Sequence, residues 1–307
     1  MKILHSTDIL GEPAIATIGF FDGVHLGHEY LLRDLRSEAR CRGLKTLVVT
    51  FSNHPRLLFD PDCGLKFLTL IEEKLHLMEL SYIDYCLVLP FTFELARMTS
   101  RDFMQKLHDF FGVQAMLVGY DHHFGSDRCS GFDEYVNFGK EVGVELLRCD
   151  AFSVKDINVS STRARKALEE GNIELATTLL GYPYRIHGMV VHGHQVGRTI
   201  GFPTANLDIP ELKILPKCGV YLVTVSTPDG NEHDGLLNIG HRPTLDNGRL
   251  SVEVYIDNYT GNLYGSLLQL QLLSFIRPER KFGSLDLLKE QLQSDLQLLK
   301  KLTKKTD

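Results

Sequence analysis

The amino-acid sequence predicts an α/β protein in two parts: a doubly wound parallel sheet, followed by an antiparallel β sandwich or barrel that a helix closes. Three observations carry this. Up to about Tyr182, short apolar runs alternate with amphipathic stretches, the pattern of buried parallel strands joined by crossover helices. From Tyr184, strand-like segments follow one another between Gly, Pro, Asn and Asp. Charge divides at the same place: residues 1–183 carry 19 basic and 26 acidic side chains, residues 184–307 carry 14 and 13. A boundary within Gly181–Arg185 gives domains of 1–183 and 184–307, each long enough for its own core.

In chain order, the first part offers strands at Ala14–Phe20, Thr46–Phe51, Tyr85–Phe91, Ala115–Tyr120 and Val144–Cys149. Between them the apolar spacing predicts helices over 28–42, 71–80, 100–111 and 132–142, with Gly43, Gly112 and Gly143 as stops. Such a sheet holds ligands at the carboxyl ends of its strands. The second part offers strands in YRIHGMVVHG, GVYLVTVST, HDGLLNIG, RLSVEVYIDN and SLLQLQLLSFI. After Ser284 as a cap, Leu285, Leu288, Leu292, Leu296 and Leu299 recur at helical spacing, which predicts a closing helix packed on the core.

Composition narrows the function classes. The 307 residues are 43% apolar with a net charge of −6, an ordinary globular balance rather than a disordered or collagen-like one. A pI near 6.1 argues against a dedicated nucleic-acid binder. No run approaches a spanning helix, and MKILHSTDILGEP lacks the apolar core of a signal peptide, so the expected compartment is the cytoplasm. Six cysteines without a CxxC pair read as reduced, mostly buried thiols.

A candidate first site lies in TIGFFDGVHLGHEYLL, Thr17 to Leu32, where a buried strand enters a helix through a glycine-rich turn. Gly19, Gly23 and Gly27 let the backbone approach a ligand. His25 and His28, three apart at the helix entry, share one face beside free N–H groups and the positive dipole end. That suits a triphosphate, because nucleotidyl transfer needs donors for the developing charge and the leaving pyrophosphate. An isolated HxGH reads equally well as a plain turn. Downstream, VSSTRARKAL (Val159 to Leu168) opens a predicted helix, with Arg163 as a donor fork for phosphate; Ser161 or Thr162 alone reads first as an N-cap. In the second part, HGHQVGRTIGFPTANL (His192 to Leu207) has Gly193, Gly197 and Gly201 ahead of PTAN; these glycines alone read first as a hairpin with a Pro turn, and they also permit a mobile flap over phosphates. Its Thr204 and Asn206 offer hard oxygens for Mg²⁺. SVEVYI alternates, placing Val252, Val254 and Ile256 on one side and Glu253 with Tyr255 on the other.

These segments also carry a family resemblance. GFFDGVHLGH resembles the HxGH nucleotidylyltransferases, and more narrowly the GxFDGxHxGH form of bacterial FMN adenylyltransferase modules; VSSTRARKAL is similar to their SSTRxR motif. The resemblance implies catalysis by His25 and His28 and nucleotide binding by Gly19, Phe20, Asp22, Gly23, Ser161, Thr162 and Arg163. VGYDHHFG resembles the family's GxDFxFG loop, with His122 in place of Phe, and TFSNHP is a looser match to TFxPHP. Together they imply a flavin side formed by Asn53, Asp121 and Phe124. GRTIGFPTANL resembles the riboflavin kinase signature, implying that Thr204 and Asn206 hold the magnesium of MgATP beside Gly197 and Gly201. Glu253 matches the Glu of VExHI, the base for the ribityl hydroxyl, with Tyr255 replacing His and GNLYG replacing GDLYG. NIGHRPTL is similar to NIGxRPTF and FIRPERKF to LRxExKF, which implies that Arg277 touches flavin; the residue alone reads equally as an ion-pair partner.

The resemblance covers nearly the whole chain and is to the bacterial bifunctional riboflavin kinase and FMN adenylyltransferase (FAD synthetase) family. It implies a Rossmann-like domain and a β-barrel domain, with riboflavin, FMN and ATP as substrates. Mg²⁺ accompanies the ATP, and no nucleic acid, membrane or obligate protein partner is implied. An aminoacyl-tRNA synthetase shares HxGH but needs a basic RNA-binding surface. A non-catalytic flavin or nucleotide sensor would not need His25, His28, Thr204, Asn206 and Glu253 together. Neither HExxH nor a P-loop is present.

Overall fold

The computed structural model describes residues 1–120, 123–127, 131–154, 157–193, 197, 200–241 and 250–303. The chain divides into two compact units, Met1–Ser161 and Thr162–Asp307.

In the first unit six parallel strands, β1 (Lys2–Leu4), β2 (Ala14–Ile18), β3 (Lys45–Phe51), β4 (Tyr85–Leu89), β5 (Val113–Val118) and β6 (Glu145–Arg148), lie in the order β1-β4-β3-β2-β5-β6. Every residue of β2 is buried because the sheet is covered on both faces. Ala14, Ala16 and Ile18 join one core with Leu47, Val49 and Met116, while Ile15 joins the other with Val48 and Ala115. The chain steps outward from β2 through β3 and β4, then returns to β5 on the other side of β2. That switch point opens a crevice at the carboxyl end of β2.

Four long helices match the expected spans: α1 (Leu26–Arg42), α3 (Ile71–Leu80), α5 (Ser100–Phe111) and α6 (Phe132–Val142). Gly43, Gly112 and Gly143 end three of them in the left-handed conformation, their N–H groups bonding carbonyls of the last turn. The short helices α2 (Pro55–Phe59) and α4 (Phe93–Arg97), edge strand β1, and the two-residue strands β7 (Ser153–Val154) and β8 (Ile157–Asn158) carry too little periodicity to be foreseen. Of the described cysteines only Cys86 and Cys149 are buried, which corrects the expectation that most would be; burial pushes both thiols up to about 12.

Helix α7 (Ser161–Glu170) spans the division between the units, and α8 (Ile173–Leu180) follows it. The second unit resolves the choice between sandwich and barrel. Strands β9 (Arg185–Val191), β10 (Thr204–Asp208), β11 (Gly219–Ser226), β12 (Glu232–His241), β13 (Leu250–Ile256) and β14 (Leu267–Arg277) close as β10-β13-β12-β11-β14-β9, all pairs antiparallel. Strand β10, which is not among the strands expected from the sequence, pairs with β9 on one side and β13 on the other and so closes the barrel.

The closing helix, α9 (Leu285–Thr303), is capped as expected: Leu287 N donates to Ser284 Oγ at 3.3 Å. Its leucine stripe is only partly core. Leu299 is buried against Val220, Leu222 and Leu236 with Leu296 beside it, but Leu288 and Leu292 line a cavity and Leu285 is 57% exposed. Among the described residues no helix is long and apolar enough to cross a membrane.

Two candidate active sites

The first site is the turn from β2 into α1. Two non-glycine residues there, Phe21 (φ 56°) and Val24 (φ 33°), occupy the left-handed region, as does Gly23 (φ 78°). Each such non-glycine conformation costs about 1–3 kcal/mol, so surrounding contacts must impose it. Thr69 N donates to Asp22 Oδ1 at 3.1 Å, Gly23 N to Thr69 Oγ1 at 2.9 Å, and Ser161 Oγ to the Asp22 carbonyl at 2.9 Å. Ser161 is thus a tether for the turn, and Asp22, 3% exposed, is structural within it. Thr162 and Arg163 follow Ser161 on the first turn of α7.

His25 is the N-cap of α1: its Nδ1 accepts from His28 N at 3.3 Å, which leaves Nε2 to carry the proton of the neutral ring. The two imidazoles stack with centroids 3.6 Å apart and planes at 11°, and His28 meets the Phe21 ring edge-on at 5.0 Å. A Cβ at Gly27 would press on the His25 ring at 3.2 Å, so a glycine there leaves room for the stacked pair. The stacked pair thus sits at the N-terminus of α1, the end of a helix that favours an anion.

Beside this turn lies a cavity of about 260 Å³ lined by Ile18, Phe20, Phe51, His54, Phe91 and Phe124 among others. Phe20 belongs to this wall by its ring, 4.6 Å from His54, rather than to the turn's polar surface. Phe124 lines this cavity, and Tyr135 clasps it, its hydroxyl accepting from Phe124 N (3.0 Å) and donating to Phe124 O (2.9 Å). Asn53 does not line the cavity. Its amide brackets the Phe91 backbone, Oδ1 accepting from Phe91 N (2.8 Å) and Nδ2 donating to Phe91 O (2.9 Å), so it places a wall residue. Asp121 and His122 lie outside the described residues.

Sequence reasoning missed Lys74 on α3. It is 2% exposed, and Nζ donates to Phe20 O (2.9 Å), Thr50 Oγ1 (3.1 Å) and Phe51 O (3.0 Å). Burial pushes its ammonium down to about 8, against the pull of the nearby Asp22 carboxylate.

In the second unit, register assembles the site. Asn206 on β10 pairs with Glu253 on β13, which pairs in turn with Asn238 on β12, so three polar side chains form a row across adjacent strands. Thr204, two residues before Asn206, donates from Oγ1 to Glu253 Oε2 at 3.2 Å. The expected alternation holds: Val252, Val254 and Ile256 are buried while Glu253 and Tyr255 are half-buried. Glu253 and Tyr255 face a cavity of about 320 Å³, also lined by Thr204, Asn238, Arg277 and Leu292. Val254 and Ile256 face another of about 640 Å³, lined also by Thr204, Asn262 and Tyr264. Thr204 borders both.

Glycines make room here. A Cβ on Gly193 would lie 2.3 Å from Asn206 Nδ2, and one on Gly197 would lie 2.2 Å from the Phe202 carbonyl. The Gly197 carbonyl accepts from Ile200 N and Phe202 N, and Gly201 sits at φ 85°. Arg277 is an ion-pair partner: its Nε and Nη2 reach the Asp295 carboxylate at 3.0 and 2.7 Å, and Gln291 Nε2 adds a bond at 2.9 Å. Asp295, 3% exposed, was not singled out in the sequence, although an acid inside the leucine stripe is the signal that reveals it. Asn238 was quoted only within its motif, and Arg242 to Leu245 of that motif lie outside the described residues.

Comparison with known proteins agrees with this division. The FAD synthetase family model matches residues 9–163 and the riboflavin kinase family model residues 180–303. Among similar proteins is the bifunctional riboflavin kinase/FMN adenylyltransferase of Escherichia coli (strain K12), 39% identical over 92% of this chain and 91% of that one. That of Bacillus subtilis is 33% identical over 97% and 96%. A crystal structure of a Streptococcus pneumoniae chain described as a macrolide-efflux protein has a TM-score of 0.89 at 28% identity, covering 98% of this chain and 99% of that one.

Proposed function

This chain belongs to the bifunctional riboflavin kinase/FMN adenylyltransferase family, and from that premise we propose how its residues divide the two reactions: phosphorylation of riboflavin to FMN in the barrel, and adenylylation of FMN to FAD beside the β2–α1 turn. The observation that carries the division is the Thr204–Glu253 hydrogen bond at the border of two cavities, in a different unit from the stacked pair His25 and His28.

In the kinase reaction Glu253 takes the proton of the primary ribityl hydroxyl as its oxygen attacks the γ-phosphorus of ATP and ADP departs. Riboflavin fits the cavity that Glu253 faces, and the nucleotide fits the one beyond Thr204. Thr204 Oγ1 and the carboxamide oxygen of Asn206, a buried hard donor held against Gly193, fit Mg²⁺. The ion supplies neutralisation of phosphate charge. Arg277 acts through Asp295, fastening α9, whose Leu288 and Leu292 wall the acceptor cavity.

In the second reaction a phosphate oxygen of FMN attacks the α-phosphorus of ATP and displaces pyrophosphate. That nucleophile is already anionic, so no base is required. His25, His28 and the N-terminus of α1 donate to the charge that develops. The wall formed by Phe20 and Phe124 flanks the flavin ring of FMN. We place both reactions in the cytoplasm, where ATP is at hand. Incubating the protein with riboflavin and MgATP and separating the products is expected to give FMN and then FAD; formation of neither overturns the reading.

Two further outcomes are expected. Asp295→Ala leaves the mostly buried Arg277 without its carboxylate, and should lower stability by about 3–5 kcal/mol while raising KM for riboflavin. An unchanged thermal melt would show that the pair does not fasten α9. We also propose a boundary before α7 rather than at residue 184. Leu179 and Leu180 of α8 are buried, and Lys217 N donates to the Leu168 carbonyl of α7. A fragment of 160–307 should therefore melt above one of 184–307; equal melting temperatures would favour the later boundary.

A further inference from the structure

We propose that Lys74 is a positioning residue for FMN adenylylation, its buried ammonium tying the β2–α1 turn to the end of β3 so that one group sets both the nucleotide turn and the flavin-side wall. The inference rests on the reading of that turn as the adenylyl-transfer site.

An ammonium has three N–H groups, and here all three meet oxygens on two strand ends: the Phe20 carbonyl after β2, and the Thr50 hydroxyl and Phe51 carbonyl at the end of β3. Charge-assisted bonds of this kind are roughly twice as strong as neutral ones and hold position accordingly. Thr50 Oγ1 also donates to the Phe20 carbonyl at 3.2 Å, closing a small network around a single backbone oxygen. The same Nζ lies 4.2 Å from the centroid of the Phe20 ring, a cation–π contact on the ring that lines the 260 Å³ cavity.

The helix that carries Lys74 grips the turn elsewhere as well. Thr69, at its approach, bonds Asp22 and Gly23, so α3 with its lead-in holds the strained segment at Phe20, Asp22 and Gly23 together. His25 follows two residues later. Lys74 itself is 2% exposed and is absent from the cavity wall, so it has no route to touch a substrate. Its effect must pass through the placement of Phe20 and the turn, and phosphoryl chemistry is sensitive to placement: a shift of about 1 Å can cost on the order of 10²-fold in rate.

The test compares Lys74→Met, Lys74→Gln, Thr50→Val and His28→Ala in the full-length chain, with FMN supplied directly and kcat expressed per folded protein. Lys74→Met should lower kcat for adenylylation by about 10–100-fold, with KM for FMN and ATP held within about threefold. Lys74→Gln, which keeps an amide donor, should recover part of the loss. Riboflavin phosphorylation in the same preparations should stay at the parental rate. If Lys74→Met does not fold, Thr50→Val carries the test: it removes one of the three acceptors and should lower kcat severalfold with KM unchanged. Parental kcat per folded protein in the variant that carries the test, or a raised KM at parental kcat, overturns the proposal. With His28→Ala inactive, that result removes only the role of Lys74, whereas His28→Ala at the parental rate removes the site reading itself.

Discussion

FMN adenylylation by a His28→Ala protein is expected to fall by about 10²-fold or more while riboflavin phosphorylation continues unchanged. The loss corresponds to about 3 kcal/mol or more of transition-state stabilisation. It follows from the geometry of the turn: His28 stacks on the N-cap His25 at 3.6 Å, at the N-terminus of α1. Removing the imidazole takes away a donor and also the ring that backs His25, leaving the displaced pyrophosphate less well compensated. The backbone N–H of His28, which bonds His25 Nδ1, survives the substitution, so the cap and the helix should persist. Rates with FMN supplied directly, measured beside kinase rates, check this. Adenylylation at the parental rate would make His28 a turn residue and nothing more.

Glu253→Gln should reduce riboflavin phosphorylation by roughly 10²–10⁴-fold with little change in substrate binding. The amide keeps the shape of the carboxylate and still accepts from Thr204 Oγ1, but it cannot take a proton from the ribityl hydroxyl. Because Glu253 sits between Asn206 and Asn238 on neighbouring strands, the substitution leaves the barrel ladder intact. Near-parental kinase turnover would remove Glu253 as the base. A lowered melting temperature with loss of both activities would make it structural.

Much of this architecture was legible in the sequence. The helix expected over 71–80 is Ile71–Leu80, and those before Gly43, Gly112 and Gly143 end where a left-handed residue is cheapest. Buried apolar runs joined by amphipathic stretches marked the strands as parallel, while their order in the sheet came only from the structure. Strand β10 was less legible because Pro203 and Asn206 are turn formers, and only pairing with β9 and β13 makes this stretch extended. The leucine stripe of α9 was read as core because periodicity identifies a buried face without saying whether protein or ligand covers it.

The site shows the same limit. His25, His28, Thr204 and Glu253 were found through local motifs, and the structure brings each pair into contact. Asn53, Lys74 and Arg277 take their roles from partners 38, 54 and 18 residues away, respectively. No local pattern records such partners. A lysine on the apolar face of a predicted helix and an acid inside a leucine stripe are the only traces that Lys74 and Asp295 leave.

Mixing the two single-site variants tests most directly the claim that one chain carries two separate active sites. His28→Ala supplied with riboflavin and MgATP should stop at FMN, and Glu253→Gln should make almost nothing from riboflavin. An equimolar mixture should produce FAD, because FMN released by the first protein is a substrate for the second. A mixture of the two folded variants that accumulates FMN without FAD, or a His28→Ala protein that makes no FMN, would contradict the account.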